Sequence, residues 1–391
     1  MKHAATALAF ALAACGQPST AQDAISVGQA PITGTQTPAA KPFVATPVAT
    51  FDAPWAMTFF PDGRMLVTEK GGKLKLVSAD GASIIDLGGV PRVDSQGQGG
   101  LMDVILHPKF AENGLVYLSW SESGTGGKGV ALGRGKLVTP TIMCIRAPCP
   151  QTAGLEGFET IFRASPFVSG GGHYAGRIVF APDGHLFFTV GDRQKFDPAQ
   201  DKGGTLGKTL RLNDDGKPAS GNPLATQGFE PEVWSYGHRN SLGIAFDARG
   251  RLWTQEMGPR GGDELNLIVP AKNYGWPIVS NGDHYDGRNI PDHPTQPQYE
   301  APKVSWNPAI SPGGLMIYSG SRFAAWKGSA FIGGLSSQSL VRIAFDGEKA
   351  REAERFDMGA RIREVEQGPD GAIYVLEDGS SGRLLKLVPK S

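Results

Sequence analysis

The sequence predicts an all-β protein that folds as a six-bladed β-propeller with four-stranded antiparallel blades. Three observations support this fold class. The 391 residues include 54 glycines and 29 prolines, a composition typical of many short strands joined by tight turns. A turn followed by a strand with alternating apolar residues recurs along the chain at a regular spacing. Finally, no apolar run reaches the roughly 18 to 20 residues that a membrane-spanning helix needs.

The repeat is clearest in four segments that share a turn, built on an Asp or Arg beside a Gly, and a following strand of period two. They are FPDGRMLVTEK from Phe60, APDGHLFFTVGD from Ala181, DARGRLWTQEMG from Asp247 and GPDGAIYVLEDG from Gly368. Two weaker members begin at His107 and Trp326, the second displaced by an insertion before it. Six units of roughly 61 residues indicate radial repetition, a ring of four-stranded sheets. A pair of β-sandwiches would not require such a period.

The charge balance excludes one broad class of function. Lys and Arg together number 38, as do Asp and Glu, so the formal net charge is zero. Nucleic-acid-binding proteins need a cationic surface to neutralise phosphates, and this composition supplies none beyond a local patch. Hydrophobic residues make up 40% of the chain, enough for a large core. We therefore expect a folded protein with no nucleic-acid partner.

The first residues resemble an export signal. Residues 1–14, MKHAATALAFALAA, combine one Lys with a short apolar stretch, the layout of a secretory signal peptide. The following Cys15 completes a bacterial lipobox, so we expect a lipid there; an ordinary signal with an incidental cysteine is the alternative. Residues 15–46, rich in Pro, Thr, Ala and Gln, are expected to form a flexible tether. The propeller domain is then 47–391, exported to the periplasm and held to the membrane only through the lipid.

The two remaining cysteines, Cys144 and Cys149, lie five residues apart in TIMCIRAPCPQ. Disulfides persist in exported proteins, and we expect a local disulfide that closes a loop. A redox pair is the first alternative, although the spacing is not CxxC and the helix start that lowers a thiol pKa is missing. A two-cysteine metal site is the second alternative, and it would need partners that the nearby sequence lacks.

Chemistry-bearing residues cluster in glycine-rich segments just before strands, where a propeller brings distant loops together. His173 follows three glycines, which permit close approach of a substrate. A histidine near its ordinary pKa is a natural general base at neutral pH. The alternative is a loop histidine bonded to a neighbouring carbonyl.

Three arginines predict an anionic ligand. Arg361 and Arg363 alternate in RIREV, so both guanidinium groups are expected on one face of a strand. Arg239, in GHRN, follows a strand-like segment at another blade junction. Together they suit a ligand with several carboxylates, bound through bidentate hydrogen bonds. The alternative for each arginine alone is a structural salt bridge, for example to Glu364 or Asp370.

The segment GPRGGDE, residues 258–264, mixes turn residues with two acids. Loop carbonyls and carboxylates form the oxygen cage that Ca²⁺ prefers; the alternative is a plain turn in which Asp263 or Glu264 caps the next residues. No GxGxxG opens a helix after a strand, and GxSxG is absent, which excludes a Rossmann site and a serine nucleophile of that pattern. Two classes remain: a metal-dependent, lactone-hydrolysing propeller and a redox enzyme with an acidic organic cofactor.

The order of these motifs resembles that of the soluble quinoprotein sugar dehydrogenases, the family of PQQ-dependent glucose and aldose sugar dehydrogenases. GHRN, GPRGGDELN followed by NYGWP, and RIREV stand in the family's order, and the resemblance spans residues 51–387. It is greater to the aldose sugar dehydrogenase branch than to the glucose-specific branch. The resemblance implies a six-bladed propeller, in agreement with the repeat.

The resemblance also implies roles for single residues around PQQ. His173 matches the base that removes the proton of the sugar's C1 hydroxyl while hydride passes from C1 to PQQ. Arg239 matches a residue beside the quinone oxygens that stabilises negative charge. Arg361 and Arg363 match the pair that binds carboxylates of PQQ. Further cofactor contacts are implied for Gln98, Asn240 and, more loosely, Tyr285.

Calcium ligands are implied in the same way. Gly258 and Pro259 match backbone carbonyls that bind the Ca²⁺ joined to PQQ, where the cation polarises the quinone. Glu264 and Tyr274 match a second calcium position, the tyrosine through its carbonyl.

Three segments depart from the family. Segment 335–339, LSSQS, lacks the lysine that the glucose-specific branch uses for a PQQ carboxylate, and segment 311–318 lacks an aromatic of that branch's sugar pocket. Both departures argue against glucose specificity and tight cofactor binding. Segment 139–153, around the cysteines, looks like an insertion.

The resulting hypothesis is an exported PQQ- and Ca²⁺-dependent aldose sugar dehydrogenase that oxidises the C1 hydroxyl to a lactone. Its partners are the sugar and an external electron acceptor, a cytochrome or a quinone. The alternatives are a calcium-dependent lactonase-type propeller, which would have no use for the arginine pair, and a non-catalytic binding propeller.

Overall fold

The computed structural model describes residues 1, 32–33, 36–139 and 153–390, and nearly all of its regular structure is strand. Six sheets of four or five strands each follow one another along the chain. The first strand of each sheet packs against the first strand of the next, and the first strand of the sixth packs against that of the first. The sheets therefore close into a ring, and the prediction of a six-bladed β-propeller is confirmed.

The strands are numbered in chain order and grouped by blade. The N-terminal strands are β1 (Ile32–Thr33) and β2 (Phe43–Phe51). Blade 1 contains β3 (Pro54–Phe59), β4 (Met65–Glu69), β5 (Lys73–Val77) and β6 (Ile84–Leu87). Blade 2 contains β7 (Leu101–Leu106), β8 (Leu115–Gly124), β9 (Gly127–Val138) and β10 (Gly154–Arg163). Blade 3 contains β11 (Ala175–Phe180), β12 (Leu186–Val190), β13 (Lys208–Leu212) and β14 (Val233–Tyr236).

The second half of the ring follows the same plan. Blade 4 spans β15 (Ser241–Phe246), β16 (Leu252–Glu256), β18 (Asp263–Ile268) and β20 (Val304–Asn307), with a small hairpin of β17 (Arg260–Gly261) and β19 (Gly282–Asp283). Blade 5 contains β21 (Pro312–Ile317), β22 (Ala330–Gly334), β23 (Ser339–Asp346) and β24 (Lys349–Asp357). Blade 6 contains β25 (Ile362–Gln367), β26 (Ile373–Glu377) and β27 (Gly382–Pro389). The helical segments are α1 (Phe110–Asn113) and the 3₁₀ turns Asp197–Ala199, Ala225–Gln227, His293–Thr295 and Ala324–Trp326.

The ring is closed by a strand from the N-terminal side of the chain. β2 pairs antiparallel with β27, from Phe43 opposite Pro389 to Phe51 opposite Gly382. This pairing supplies the fourth strand of blade 6, satisfies the edge of β27 and ties the two ends of the propeller together. β2 begins ahead of the predicted domain start at residue 47, and β1 pairs with β20 as a fifth, parallel strand of blade 4.

The sequence repeat corresponds to the turn between the first and second strands of a blade. In blades 1, 3, 4 and 6 the turn uses a glycine with positive φ, whose N–H donates to the carbonyl three residues earlier at 2.9–3.0 Å. These are Gly63, Gly184, Gly250 and Gly371. In blades 2 and 5 a short helical segment occupies the same place, which explains why those two repeats are weak. The insertion expected before Trp326 lies between β18 and β20.

A second repeat lies on the first strands. Each first strand has a shift in its pairing register with the second strand near its start. The third residue of each first strand therefore occupies an equivalent position in every blade. In blade order these residues are Ala56, Asp103, Arg177, Gly243, Gly314 and Glu364. Arg177 Nη1 binds Glu364 and lies 3.4 Å from Asp103 Oδ1. Because blade 6 adjoins neither blade 2 nor blade 3, these side chains meet across the axis of the ring. We call Asp103, Arg177 and Glu364 the axial ion cluster.

Apolar side chains fill the spaces between blades. One cluster extends through blades 1 to 3 and includes the fully buried Leu118 and Leu210. Another joins blades 5 and 6 through Phe331, Phe356 and Ile373. Within the described ranges no helix is long and apolar enough to cross a membrane.

Candidate active site

A buried histidine and a buried aspartate form the centre of the site. His173 precedes β11, and its Nδ1 lies 2.7 Å from Oδ1 of Asp192, which follows β12. Asp192 is fully buried, and its Oδ2 accepts a hydrogen bond of 2.8 Å from the indole N–H of Trp276. A carboxylate partner places the ring proton on Nδ1 and leaves Nε2 free to accept a proton. The ring of His173 is therefore oriented by an acid and not by a backbone carbonyl.

The protonation state of His173 suits a base. Burial is the largest influence and lowers its pKa, while the hydrogen bond to Asp192 opposes this and the charge of Arg239 reinforces it. A buried imidazole with a lowered pKa is neutral at pH 7, and only the neutral ring accepts a proton. Geometry and charge both meet the requirements of general-base catalysis.

The loops around this pair are strained. Five non-glycine residues have positive φ here, between 50° and 63°: His173, Ala175, Arg193, Gln194 and Phe196. Gly172 allows the close packing, because a Cβ on it would lie 2.5 Å from the Gln194 side chain. The space next to Gly172 is therefore occupied by the loop that carries Gln194. From the sequence we expected the glycines before His173 to allow close approach of a substrate instead. Sparsely populated backbone conformations concentrate at functional sites.

Arg239 and Asn240 are positioned by a carboxylate. Oε2 of Glu256, the last residue of β16, accepts hydrogen bonds from the backbone N–H groups of Arg239 at 2.6 Å and of Asn240 at 3.3 Å. The Arg239 guanidinium donates to the carbonyl of Met257 at 2.9 Å and to the hydroxyl of Tyr285 at 3.3 Å. Among the described residues it has no carboxylate side-chain partner, and its buried Nε has no hydrogen-bond partner. An anionic or electron-rich ligand would compensate this charge.

A cavity of about 450 Å³ lies beside these residues. Four residues predicted to contact PQQ line it, together with apolar side chains such as Trp55 and Leu242; the four are Gln98, Asn240, Arg361 and Arg363. Apolar walls with a few convergent polar groups suit a small organic ligand of this volume. A planar cofactor with several carboxylates fits this donor set.

The two amide side chains of the cavity also hold the histidine segment. Oε1 of Gln98 accepts a hydrogen bond of 2.7 Å from the backbone N–H of His173. Oδ1 of Asn240 accepts one of 3.1 Å from the N–H of Ala175. Each amide oxygen thus already accepts one hydrogen bond from the protein, and the amide N–H groups are the donors for acceptor atoms of a cofactor.

Arg361 and Arg363 share one carboxylate. Nε of Arg361 lies 2.9 Å from Oδ2 of Asp378, and Arg363 approaches Oδ1 of the same residue with Nε at 3.1 Å and Nη2 at 2.9 Å. The expectation that both guanidinium groups point to one side agrees with this shared partner. The salt bridges considered as the alternative therefore do form, but with Asp378 and not with the two acids named from the sequence: Glu364 binds Arg177, and Asp370 pairs with Lys386. Two cations against one acid leave this wall positively charged.

The predicted calcium segment surrounds a small void of about 10 Å³, lined by Glu256, Gly258, Glu264 and Tyr274 among others. A void of this size holds one water-sized occupant. The hydroxyl of Tyr274 donates to the Leu267 carbonyl at 2.6 Å, so its carbonyl, which lies 3.3 Å from Nε2 of His293, is the atom left for a cation. Pro259 does not line the void. No three His, Cys, Asp or Glu side chains converge as a metal site in the described ranges.

The two acids of that segment do different work. Asp263 accepts hydrogen bonds from the N–H groups of Gly258 at 2.8 Å and Ser311 at 2.7 Å, so it holds the preceding turn and the start of blade 5, and not the next residues as the alternative expected. Burial raises the pKa of Glu264 well above its usual range, and the nearby Glu256 adds to the shift. A buried pair of carboxylates is a site that a cation would stabilise.

An aromatic rim stands above the His173–Asp192 pair. Tyr285 is 74% exposed and contacts Arg239, and Phe196, 42% exposed, packs on Trp276 with ring centroids 5.6 Å apart. Tyr285, for which the sequence implied a looser cofactor contact, thus lies next to Arg239 in the aromatic rim. Phe196 and Trp276 were not predicted from the sequence.

The acids that sequence reasoning missed share a position in the repeat. Asp192, Glu256 and Asp378 all stand at or just beyond the end of the second strand of their blade. The four clearest repeats contain TEK, VGD, QEM and LED at or near their ends, so an acid at this point was visible as part of the period. Each acid holds a predicted site residue in place: Asp192 holds His173, Glu256 holds Arg239, and Asp378 holds the pair Arg361 and Arg363. The lipidation and disulfide predictions for Cys15, Cys144 and Cys149 lie outside the described residues.

Comparison with known proteins gives consistent matches. The family model for glucose and sorbosone dehydrogenases matches residues 51–386. Aldose sugar dehydrogenase YliI of Escherichia coli (strain K12) is 39% identical over 348 residues, 87% of this chain and 91% of that protein. A crystal structure of a glucose dehydrogenase, 40% identical, superposes with a TM-score of 0.82 over 89% of this chain and 100% of its own. The structure of the PQQ-bound aldose sugar dehydrogenase of Streptomyces coelicolor, 28% identical, superposes with a TM-score of 0.69 over 90% of this chain and 100% of its own.

Proposed function

The chain belongs to the glucose and sorbosone dehydrogenase family, and from this premise we propose that it oxidises the C1 hydroxyl of aldose sugars to lactones with PQQ as cofactor. Membership makes it an oxidoreductase that acts on a sugar CH–OH group, in a PQQ-dependent family. In the proposed reaction the sugar loses the C1 hydroxyl proton and a hydride from C1. The two electrons go to the cofactor and then to an external acceptor, a cytochrome or a quinone.

The observation that carries the proposal is the buried pair of His173 and Asp192. Nε2 of His173 would accept the C1 hydroxyl proton, and Asp192, 2.7 Å from Nδ1, would stabilise the imidazolium that forms. The Trp276 indole fixes the second oxygen of Asp192. The base is thus oriented before a substrate arrives, which reduces the entropy cost of proton transfer.

The arginines supply the electrostatic part of the proposal. Arg239 would stabilise the negative charge that develops during reduction. Among the described residues, the hydrogen-bond partners of its guanidinium are neutral: the Met257 carbonyl and the Tyr285 hydroxyl. Arg361 and Arg363 would bind carboxylates of the cofactor, sharing Asp378 as their single acid. When bound, PQQ accepts hydride and Ca²⁺ polarises it as a Lewis acid.

Calcium is part of the proposal through carbonyl and carboxylate oxygens. The carbonyls of Gly258 and Pro259 would hold the cation next to the cofactor, and Glu264 with the Tyr274 carbonyl would hold a second. The void beside Gly258 and Glu264 and the raised pKa of the Glu264 carboxyl support one cation position. The other position is supported by the sequence alone.

No observation favours the two alternatives. A calcium-dependent lactonase would need acidic ligands converging on the cavity, and the part of the chain that the structure describes contains no such group of three. A non-catalytic binding propeller would have no need of a base oriented by a buried acid. Export through residues 1–14, lipid attachment at Cys15 and a Cys144–Cys149 disulfide remain proposals supported by the sequence alone.

Reconstitution tests the proposed function. The purified protein is incubated with PQQ and Ca²⁺, and reduction of an artificial electron-acceptor dye is followed with a panel of aldoses. We expect activity that needs both additions and is lost when EDTA is present during reconstitution. If no aldose reduces the dye and PQQ does not bind, the proposal is wrong, and the lactonase and binding hypotheses replace it.

A further inference from the structure

Lys70 lies at the cavity next to the arginine pair. It follows the last residue of β4 and lines the same cavity as Arg361 and Arg363, and its Nζ binds the carbonyl of Gly97, another lining residue. Lys70 therefore brings a third cation to a cavity that is already positively charged on the blade 6 side.

Backbone hydrogen bonds connect Lys70 to the corner that carries the arginine pair. The N–H of Lys70 donates to the carbonyl of Ala53 at 2.9 Å, and the N–H of Ala53 donates to the carbonyl of Gly379, also at 2.9 Å. Gly379 follows Asp378, the acid that both arginines share. Blades 1 and 6 thus meet here, and Ala53 links Lys70 to the corner of the arginine pair.

The backbone of Lys70 is also packed tightly against blade 2. Its carbonyl accepts a hydrogen bond of 3.1 Å from the N–H of Leu101. Gly100 has φ of 142°, and a Cβ there would lie 2.2 Å from the Lys70 carbonyl oxygen and 2.6 Å from its Cγ. A side chain at position 100 would collide with Lys70. The base of the Lys70 side chain is therefore held in place, with only its end free to move.

The ammonium of Lys70 has spare hydrogen-bonding capacity. Nζ donates to the carbonyl of Gly97 at 2.6 Å, one of the three donors that an ammonium carries. Within the described ranges no carboxylate pairs with it. The nearby Lys75 differs, because its Nζ lies 2.5 Å from Asp86 and 3.4 Å from Glu69. Lys75 is saturated by acids, whereas Lys70 faces the cavity with its charge uncompensated.

Blade 5 contributes no cation to this cavity. Its segment 335–339, LSSQS, reaches the cavity through Leu335, and Ser311 is the other blade 5 residue there. The positive charge of this part of the cavity therefore comes from blades 1 and 6.

We propose that Lys70 binds a carboxylate of the cofactor and forms, with Arg361 and Arg363, a three-cation site. The inference rests on the proposed function, since it assumes a ligand with several carboxylates. Lys70 is assigned a binding role: it anchors the ligand and takes no proton or electron. Its loss should weaken binding of the cofactor and leave the fold intact, because only the end of its side chain is involved.

The test measures PQQ affinity of the apoprotein by isothermal titration in the presence of Ca²⁺, without any assay of turnover. Lys70→Gln should weaken PQQ binding about tenfold, and Lys70→Arg should keep it within about threefold, as expected for a charge-assisted hydrogen bond. Lys73→Gln is the matched control, since Lys73 is an exposed lysine at the start of β5, and it should bind PQQ like the wild type. The affinity of Lys70→Gln should also fall less steeply with added salt.

Chemical protection gives a second readout on the unaltered protein. Acetylation of lysines, followed by mass spectrometry, should show Lys70 protected by PQQ and Lys73 modified equally with and without it. If the wild type binds PQQ, but Lys70→Gln binds it equally well and PQQ does not protect Lys70, the Lys70 site is wrong and the proposed function stands. If the wild type does not bind PQQ, both are wrong.

Discussion

Two buried arginines, Arg177 at the axis of the ring and Arg239 at the candidate active site, have opposite surroundings. Arg177 binds Glu364, lies 3.4 Å from Asp103 and donates to the carbonyl of Leu242 at 2.7 Å. Arg239 donates to a carbonyl and a phenol, and no described carboxylate side chain pairs with it. The charge of a buried cation with acidic partners is compensated within the folded protein and needs no ligand. A buried cation without them costs stability until a ligand supplies the missing charge, so the difference separates structure from function.

Breaking the axial ion cluster should have the largest effect on the fold. Arg177→Met leaves Glu364 and Asp103 buried without their cation, which should lower the free energy of unfolding by about 3–5 kcal/mol. The urea midpoint of the apoprotein, followed by circular dichroism, measures this. An unchanged midpoint would mean that the cluster does not stabilise the ring.

The pH dependence of that loss follows from the same charges. Without Arg177 the carboxyls of Glu364 and Asp103 have pKa values above those of the unfolded chain, since burial already raises both. A group with a raised pKa in the folded state loses stability as pH rises. The destabilisation of Arg177→Met should therefore be larger at pH 8 than at pH 5.

Removing the charge of the active-site arginine should have the reverse effect on stability. Arg239→Gln should leave the urea midpoint of the apoprotein unchanged or raise it, because a buried and uncompensated charge is removed. In the reconstituted enzyme it should lower kcat by about 100-fold, the usual cost of losing one group that stabilises developing negative charge. A large loss of apoprotein stability would contradict the distinction between the two arginines.

Asp192 should affect the pH profile as well as the rate. Asp192→Asn should lower kcat/KM by roughly tenfold to 100-fold, because the imidazole loses its orientation and the charge that stabilises its protonated form. In the wild type kcat/KM should fall in acid through a pKa below the usual 6.5 of histidine, since burial lowers the pKa of His173. Asp192 opposes that shift, so the acid limb of the variant should move to lower pH. An unmoved limb would mean that another group titrates.

The smallest predicted effect is at the edge of the cavity. Arg361 has a side chain that is 48% exposed and shares Asp378 with Arg363. Arg361→Ala should weaken PQQ binding by about tenfold and leave the turnover of the loaded enzyme nearly unchanged. PQQ titration of the apoprotein measures the first and dye reduction at saturating PQQ the second. Unchanged affinity would remove Arg361 from the proposed binding site.

The fold was predictable because its signal is local. Each blade repeats a glycine turn and a strand of period two, as at Gly63 and Gly184, and such patterns are visible within about ten residues of sequence. The shared side of Arg361 and Arg363 was predictable for the same reason. The repeats that were weak in the sequence, at His107 and Trp326, are those in which a helical segment stands in place of the glycine turn.

Partners within the site were less predictable because they depend on ring closure. Asp192 and Trp276, 84 residues apart in the chain, meet only once blades 3 and 4 are packed. The alternative partner Glu364 was wrong for a simpler reason. Its side chain points to the axis of the ring and binds Arg177 instead. The acid at the end of the second strand was visible in the sequence repeat. Which residue it binds could not be predicted, because its partners lie on other loops that come together only in the folded ring.

The central claim is that His173, held by Asp192, removes a proton from a sugar whose hydride goes to bound PQQ. The most direct measurement is the absorbance change of bound PQQ when an aldose is mixed, without oxygen or dye, with loaded wild type and with His173→Ala. We predict rapid reduction in the wild type, and in the variant full PQQ loading with no reduction on that timescale. Reduction at the wild-type rate in His173→Ala would contradict the account.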